Sequence, residues 1–341
     1  MATIDEIAKR AKVSKTTVSF VLNSKPGVSK ATAAHVRRVM AEMDYVPSAL
    51  AQRFASSRSM AIALIALPYS RVFSTSHHAD ILDAVFRALD AEGYALVLAT
   101  STDRFIEEQK HLNMLRSGQV DGLLLLEPTL DQDYLADLAG GDSPAVIVNA
   151  DGADVGLDYV RTDDLAVGRL AATHLMELGH QRIGFIAGSP NHSSARDRHR
   201  GFAEALAAGG CPLDEHRVYH GSYDSSAWSG QQGCRMIIEQ RPDTTALFCC
   251  NDTMAAGAIS AAQRLGQPVP QMLSVIGVDD NPIGSFTRPR MTTICQPSRQ
   301  IAETATKALL ARMAGDTPHQ RLAVSMEPEL VPRESTAPPR A

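Results

Sequence analysis

Hydrophobic positions change their period along this 341-residue chain. Near the N-terminus Ile4, Ile7, Ala8 and Ala11 recur at i, i+3, i+4 and i+7, one face of a short helix. Thr3 stands just before them and Glu6 three residues after it, the spacing of a capping box. Val13-Ser14 interrupts the pattern. Val18, Val21 and Leu22 then form the inward face of a second helix, Lys15 to Leu22, capped by Ser14. Asn23 to Gly27 is a turn cluster. Ser29 caps a third helix with Ala33, Val36, Val39, Met40 and Met43 inside. Three short helices around one tight turn predict a helix-turn-helix unit over residues 1–46.

From Ala61 the texture is different. Short apolar runs occupy 61–67, 94–99, 120–126 and 144–149, and a second series occupies 182–187, 246–250 and 273–279. Amphipathic stretches such as ILDAVFRALDAEG and LAVGRLAATHLMELGH lie between them. Continuous apolar strands alternating with helices predict parallel sheets covered on both faces, and two series predict two similar lobes. In such sheets ligands bind beyond the carboxyl ends of the strands.

Between these regions, residues 47–60 read as a hinge. Pro47 suits the first turn of a helix, and Leu50 and Phe54 share one face of SALAQRFASS. Eight residues or so are too few for a helix to persist alone in water.

Charge sharpens the division. Residues 1–60 hold ten Lys/Arg against four acids, a net of +6 within a chain whose total is -5. A basic head on an acidic body is expected when only the head meets phosphate. Lys15, Thr16, Thr17 and Ser19 on the outer face of the second helix are short or cationic, suited to phosphates and base edges. A three-helix packing module with a solvated basic face is the competing reading. A single Trp argues against stacking of single-stranded nucleic acid.

Catalytic signatures are missing. There is no G-x-x-x-x-G-K-[ST], no G-x-G-x-x-G after a strand, no H-E-x-x-H and no G-x-S-x-G, so no enzyme is expected. The eleven histidines show no metal-ligand spacing, and the five cysteines are an odd set without C-x-x-C. No metal, cofactor or disulfide framework is expected. MATIDEIAKR lacks the apolar core of a signal peptide and no apolar run approaches a membrane span, which predicts a cytoplasmic protein without a membrane partner.

TIDEIAKRAKVSKTTVSFVLN and VSKATAAHVRRVMAEMDYVPSALAQRFA closely resemble the headpiece and hinge of the lac repressor/galactose repressor family, the VPSALAQ hinge most of all its purine-repressor branch. RTDDLAVGRLAATHLMELGHQRIGFIAG, FCCNDTMAAGAISAAQRLG and SVIGVDDNPIGSFTRPRMTTICQP resemble its effector domain, itself similar to periplasmic sugar-binding proteins. The resemblance implies an all-α helix-turn-helix headpiece plus an α/β effector and dimerisation domain over 61–341, built of two parallel-sheet lobes. Lobe 1 would span about 61–161 and 292–322, and lobe 2 about 162–291 and 323–341.

The resemblance also implies roles. Lys15, Thr16 and Phe20 match base-reading positions; Phe20 departs from the usual polar residue, and its ring could pack on a thymine methyl. Thr17, Ser19, Ser29, Leu50 and Arg53 join them on the DNA side. Phe54 matches an apolar wedge that hinge helices push into the minor groove. Arg198, Asp279, Asn251 and Gln296 match effector-binding positions, with Arg196 as the alternative arginine. A structural ion pair between Arg198 and Asp279 is the competing reading. His77 and His78 fall where the first lobe meets effector, and Tyr223 or Trp228 could stack on it. The implied protein is a homodimeric repressor that binds a palindromic operator in double-stranded DNA under control of a small molecule, a sugar or sugar derivative. A purine or nucleoside effector is the alternative; a solute-binding protein without a DNA role is another, which the basic head opposes.

Overall fold

The computed structural model describes residues 3–22, 26–45, 58–67, 76–129, 134–139, 143–315 and 321–340. Its first three helices are α1 (Ile4–Ala11), α2 (Lys15–Leu22) and α3 (Lys30–Glu42). Each begins at a hydroxyl residue that satisfies one of the donors a helix start leaves open. Thr3 Oγ1 accepts from the Glu6 N–H while the Glu6 carboxylate accepts from the Thr3 N–H. Ser14 Oγ accepts from Thr17 N at 3.0 Å, and Ser29 Oγ accepts from Thr32 N at 3.1 Å. Ile7, Val18 and Val36 are fully buried and meet with Ala8, Ala11, Val21, Val39 and Met40 in one small core.

Two six-stranded sheets follow. The first contains β1 (Ala61–Ala66), β2 (Ala95–Thr100), β3 (Gly122–Leu126), β4 (Ala145–Val148), β5 (Asp158–Thr162) and β11 (Ala323–Met326). The second contains β6 (Ile183–Ala187), β7 (Val218–His220), β8 (Ala246–Cys249), β9 (Ser274–Val278), β10 (Thr292–Cys295) and β12 (Glu329–Val331). Their orders are β11-β5-β4-β3-β1-β2 and β12-β10-β9-β8-β6-β7, and every pairing is parallel except β10 with β12.

Both faces of the first sheet are covered, which explains its unbroken apolar runs. Ile62, Leu64 and Ala66 of β1 pack under α4 (Ser76–Ala91) and α13 (Ser298–Ala314). Ala61, Ala63 and Ile65, alternating with them, pack against α5 (Asp103–Glu107), α6 (Lys110–Arg116) and α7 (Tyr134–Ala139). The second sheet is covered by α8 (Asp164–Glu177), α9 (Ser193–Ala208), α10 (Ser226–Gln240) and α11 (Asp252–Arg264), with the short α12 (Ile283–Phe286) after β9. Backbones touch where α8 crosses α9. A Cβ on Gly168 would run into the Arg198 carbonyl and the Phe202 nitrogen, so the small residue sets how closely Arg198 sits over the sheet.

Strand membership moves the lobe boundaries read from the sequence. Thr292–Cys295 is β10 of the second sheet, so the chain returns to the first lobe after 295 and not at 292. Residues 323–326 are β11 of the first sheet, so the last crossing falls after 326 and not at 322. Both strands are four residues long, β10 lying between β12 and β9 and β11 at the edge beside β5, and neither TTIC nor AVSM is a long enough apolar run to announce itself. Arg161 of β5 also ties the lobes, donating to Asp197 of α9 at 2.7 Å.

Candidate functional site

The head presents its expected DNA face unevenly. Lys15 is 68% exposed and ion-paired with Asp5, itself 52% exposed. An exposed pair of this kind is worth about 0–1 kcal/mol, so Lys15 can exchange Asp5 for a phosphate at little cost. Thr16 is exposed, whereas Thr17, Ser19 and Phe20 are half-buried. The Thr17 and Ser29 hydroxyls are engaged in helix caps, Thr17 with Ser14 and Ser29 with Thr32, each at 2.8 Å. Phe20 lies over the turn after α2, its ring 3.7 Å from where a side chain on Gly27 would begin. Leu50, Arg53 and Phe54 lie outside the described residues.

In the body, polar residues stand immediately past the carboxyl ends of apolar strands, where open parallel sheets bind ligands. Glu127 follows β3, Asn149 follows β4, Asp279 follows β9 and Gln296 follows β10. Glu127, Asn149 and Asp279 have φ of +45°, +59° and +116°. Non-glycine residues in such conformations cost about 1–3 kcal/mol each and collect at functional sites.

These residues form one hydrogen-bonded chain across the cleft. His77 Nδ1 lies 2.7 Å from Ser298 Oγ, and its Nε2 3.1 Å from Glu127 Oε1. His78 Nε2 reaches Glu127 Oε2 at 2.9 Å. Asn149 Nδ2 donates to Glu127 Oε1 at 2.7 Å, and Asn149 Oδ1 accepts from Thr162 N at 3.2 Å. The Thr162 hydroxyl donates to Gln296 Oε1 at 2.8 Å, and Gln296 Nε2 donates to Asp279 at 2.6 Å.

Arg198 is 4% exposed and pairs with Asp164, not with Asp279: Nε donates to Asp164 Oδ1 at 2.8 Å and Nη1 to the Cys250 carbonyl at 2.6 Å. The structural-pair reading thus had the right cation and the wrong carboxylate. Arg196, two positions before it in α9, is exposed, whereas Arg198 is buried. Asn251 caps α11, its Oδ1 accepting from Met254 N at 2.8 Å and its Nδ2 donating to Ser226 at 3.2 Å. Tyr223 packs against Gly188 and edge-on to His192, ring centroids 5.0 Å apart. Trp228, in the first turn of α10, is 57% exposed.

Burial and crowding tune the carboxyls. Burial raises Asp164 despite Arg198, and raises Asp279 against the pull of His77 and Arg198. Asp252, fully buried at the start of α11, is pushed well above its usual range by burial and then by Asp279. Burial also pushes Glu127 upward, yet His78 and His77 more than reverse this and hold it well below the usual range. Sequence reasoning missed Glu127, Asn149, Thr162, Asp164 and Asp252. A usable signal existed for the first two: each is the first polar residue after an apolar run, GLLLL-Glu and AVIV-Asn.

A cleft lined with amides, carboxylates and one guanidinium offers hydrogen bonds in both directions. Among the described residues no helix is long and apolar enough to cross a membrane.

Comparison with known proteins agrees in both halves. The profile of bacterial regulatory proteins of the lacI family matches residues 3–48, and that of the periplasmic binding protein-like domain matches residues 172–336. The chain is 35% identical over 344 residues to the HTH-type transcriptional repressor PurR of Aliivibrio fischeri, covering 99% of both chains. It resembles the lac repressor dimer bound to operator and the anti-inducer ONPF, with a TM-score of 0.86, 29% identity, 98% of this chain and 99% of that one. It also resembles the transcriptional regulator CelR in complex with cellobiose, with a TM-score of 0.75, 30% identity, 98% of this chain and all of that one. The chain belongs to the lacI family of bacterial regulatory proteins, and it is a DNA-binding transcriptional repressor, not an enzyme.

Proposed function

We propose that the protein is a homodimeric repressor that holds a palindromic operator through α2 and releases or grips it according to a small molecule in the cleft, a sugar or sugar derivative. The observation that carries the effector reading is the row of hydrogen-bonding side chains past the strand ends, from Glu127 and Asn149 to Gln296 and Asp279, with the buried Arg198 of α9 as the guanidinium. Guanidinium, carboxylate and amide groups match the many hydroxyls of a carbohydrate, and charged partners make such bonds stronger. The similarity to CelR, solved with cellobiose, agrees with a sugar.

A purine or nucleoside is the second reading, favoured by the full-length similarity to PurR. Stacking on a base would need an open aromatic face; Tyr223 is packed against Gly188 and His192, whereas Trp228 is 57% exposed. A thermal-shift panel of sugars and purines separates the readings, because a ligand of the native state raises its apparent stability. Stabilisation by purines alone would replace the sugar reading.

Dimerisation is supported by apolar groups left in solvent on the first lobe. Phe86 is 54% and Leu98 51% exposed, the latter on β2 at the open edge of its sheet. Such an edge is normally covered or blunted. The DNA reading is tested by retardation of a labelled palindromic duplex from the promoter region, whose affinity should fall steeply with salt as phosphate contacts release counterions. Salt-insensitive binding, or none to any such duplex, would overturn it.

A further inference from the structure

We propose that His77, His78 and Glu127 form a binding site for a first-row transition-metal dication of the Zn2+ class on the first-lobe wall of the cleft. Their ligand atoms, two imidazole nitrogens and a carboxylate oxygen, all lie within 4.8 Å of one another. Two imidazoles and one carboxylate are a donor set used by zinc sites that keep a further position open. Adjacent histidines carry no metal signature in the sequence; the third donor arrives fifty residues later, at the end of β3.

The surroundings prepare these groups as ligands. Ser298 Oγ lies 2.7 Å from His77 Nδ1 and 3.3 Å from the Gln296 carbonyl, so it anchors the ring at its far nitrogen. With Nδ1 engaged by Ser298, Nε2 is the ring nitrogen turned toward Glu127. It stands 3.1 Å from Glu127 Oε1, close enough for both atoms to reach one cation. Asn149 Nδ2 is 2.9 Å from His77 Nε2 and 2.7 Å from Glu127 Oε1, so it braces both groups from one side. A ligating histidine that donates its other ring nitrogen to a fixed acceptor is the usual support of a metal ligand. His78 is 16% and Glu127 25% exposed, which leaves a path for an ion, whereas His77 is buried behind them. Imidazole ligands favour zinc and its neighbours over calcium or magnesium, which prefer oxygen throughout. The site does not depend on which small molecule the cleft takes.

The test is calorimetric titration of the full chain, first dialysed against chelator, with Zn2+. One Zn2+ per chain is expected, unaffected by excess Ca2+ and lost in His78→Ala. Ser298→Ala keeps all three ligands but removes the support of His77, and should weaken binding roughly 10–100-fold. Equal uptake by the wild type and His78→Ala, or no wild-type uptake at roughly 100 μM Zn2+ (a binding free energy near −5.5 kcal/mol), would overturn the proposal. Should His78→Ala fail to fold, the visible spectrum of Co2+ added to the wild-type chain decides. A band of the intensity given by four or five ligands with imidazole is expected, and the weak spectrum of the hydrated ion would overturn the site.

Discussion

Gln296 donates to the Asp279 carboxylate at 2.6 Å while accepting from the Thr162 hydroxyl at 2.8 Å, so a single amide spans from the first sheet to the second. Asp279 is half-buried with its carboxyl raised by burial, and an intramolecular hydrogen bond contributes about 0.5–1.5 kcal/mol. Gln296→Leu should therefore lower the stability of the whole chain by about that amount, read from the urea midpoint with the slope unchanged. No shift would mean that solvent replaces the amide, and that the lobes are not joined through it.

The Arg198–Asp164 pair makes a different prediction, because both partners are almost wholly buried. Removing one charge strands the other, which typically costs about 3–5 kcal/mol, whereas replacing both with apolar groups is often neutral or stabilising. Asp164 Oδ2 already lacks a hydrogen-bond partner among the described residues, so the carboxylate has little else to turn to. Arg198→Met alone should destabilise severely, and Arg198→Met with Asp164→Leu should recover most of the loss. Neither should respond to effector. A double-mutant cycle on unfolding measures the coupling, and additive losses would show that the pair is not the unit it looks to be.

That pair also marks the limit of what the sequence disclosed. The head was legible to the residue, because Thr3, Ser14 and Ser29 announce helix starts through local chemistry that needs no tertiary partner. The long apolar strands were legible for the same reason: burial on both faces leaves an unbroken run such as AIALIA. β5 and β10–β12 were not, since DYVRT, TTIC, AVSM and ELV are short and mixed, and their place follows from sheets assembled elsewhere in the chain. The family resemblance singled out Arg198, Asp279 and Gln296. It did not disclose Asp164 as the partner of Arg198 or Glu127 as the meeting point of His77 and His78, because both are contacts across 34 or more residues.

Asp252 should leave a signature in pH. Its carboxyl accepts from Thr293 Oγ1 at 2.6 Å and Asn281 N at 2.7 Å, yet burial and the neighbouring Asp279 push it well above its ordinary value of 3.8. A group whose folded value is raised holds its proton in the native state, so stability declines as pH rises from 3.8 through the folded value. Glu127 acts in the opposite sense: held well below 4.5, it contributes stability that is present above 4.5 and lost as pH falls toward its folded value. Asp252→Asn removes the first effect and leaves the second. Urea midpoints measured from about pH 4 to pH 7 should fall with pH less for the variant than for the parent chain. Parallel curves would mean that Asp252 ionises as freely in the fold as in the unfolded chain.

The exposed face of α4 and β2 carries the last prediction. Phe86, Leu82, Leu96 and Leu98, with Asp83 at the wall, surround one largely apolar groove on the first lobe, and among the described residues β2 has no strand on its outer side. Phe86 is more than half exposed, so within one protomer its replacement by Glu should change stability by no more than about 0.5 kcal/mol. If a second copy covers that groove, the same substitution buries a carboxylate without a partner in each half of a two-fold interface, and two-fold symmetry doubles the penalty. Phe86→Glu should then sediment as a monomer at concentrations where the parent is a dimer, with its unfolding curve nearly unchanged. Its affinity for a palindromic duplex should fall further than its affinity for a half-site, because only a dimer engages two half-sites at once. A variant that still sediments as a dimer would place the contact elsewhere, with the 81% exposed Phe286 of the second lobe the next residue to change.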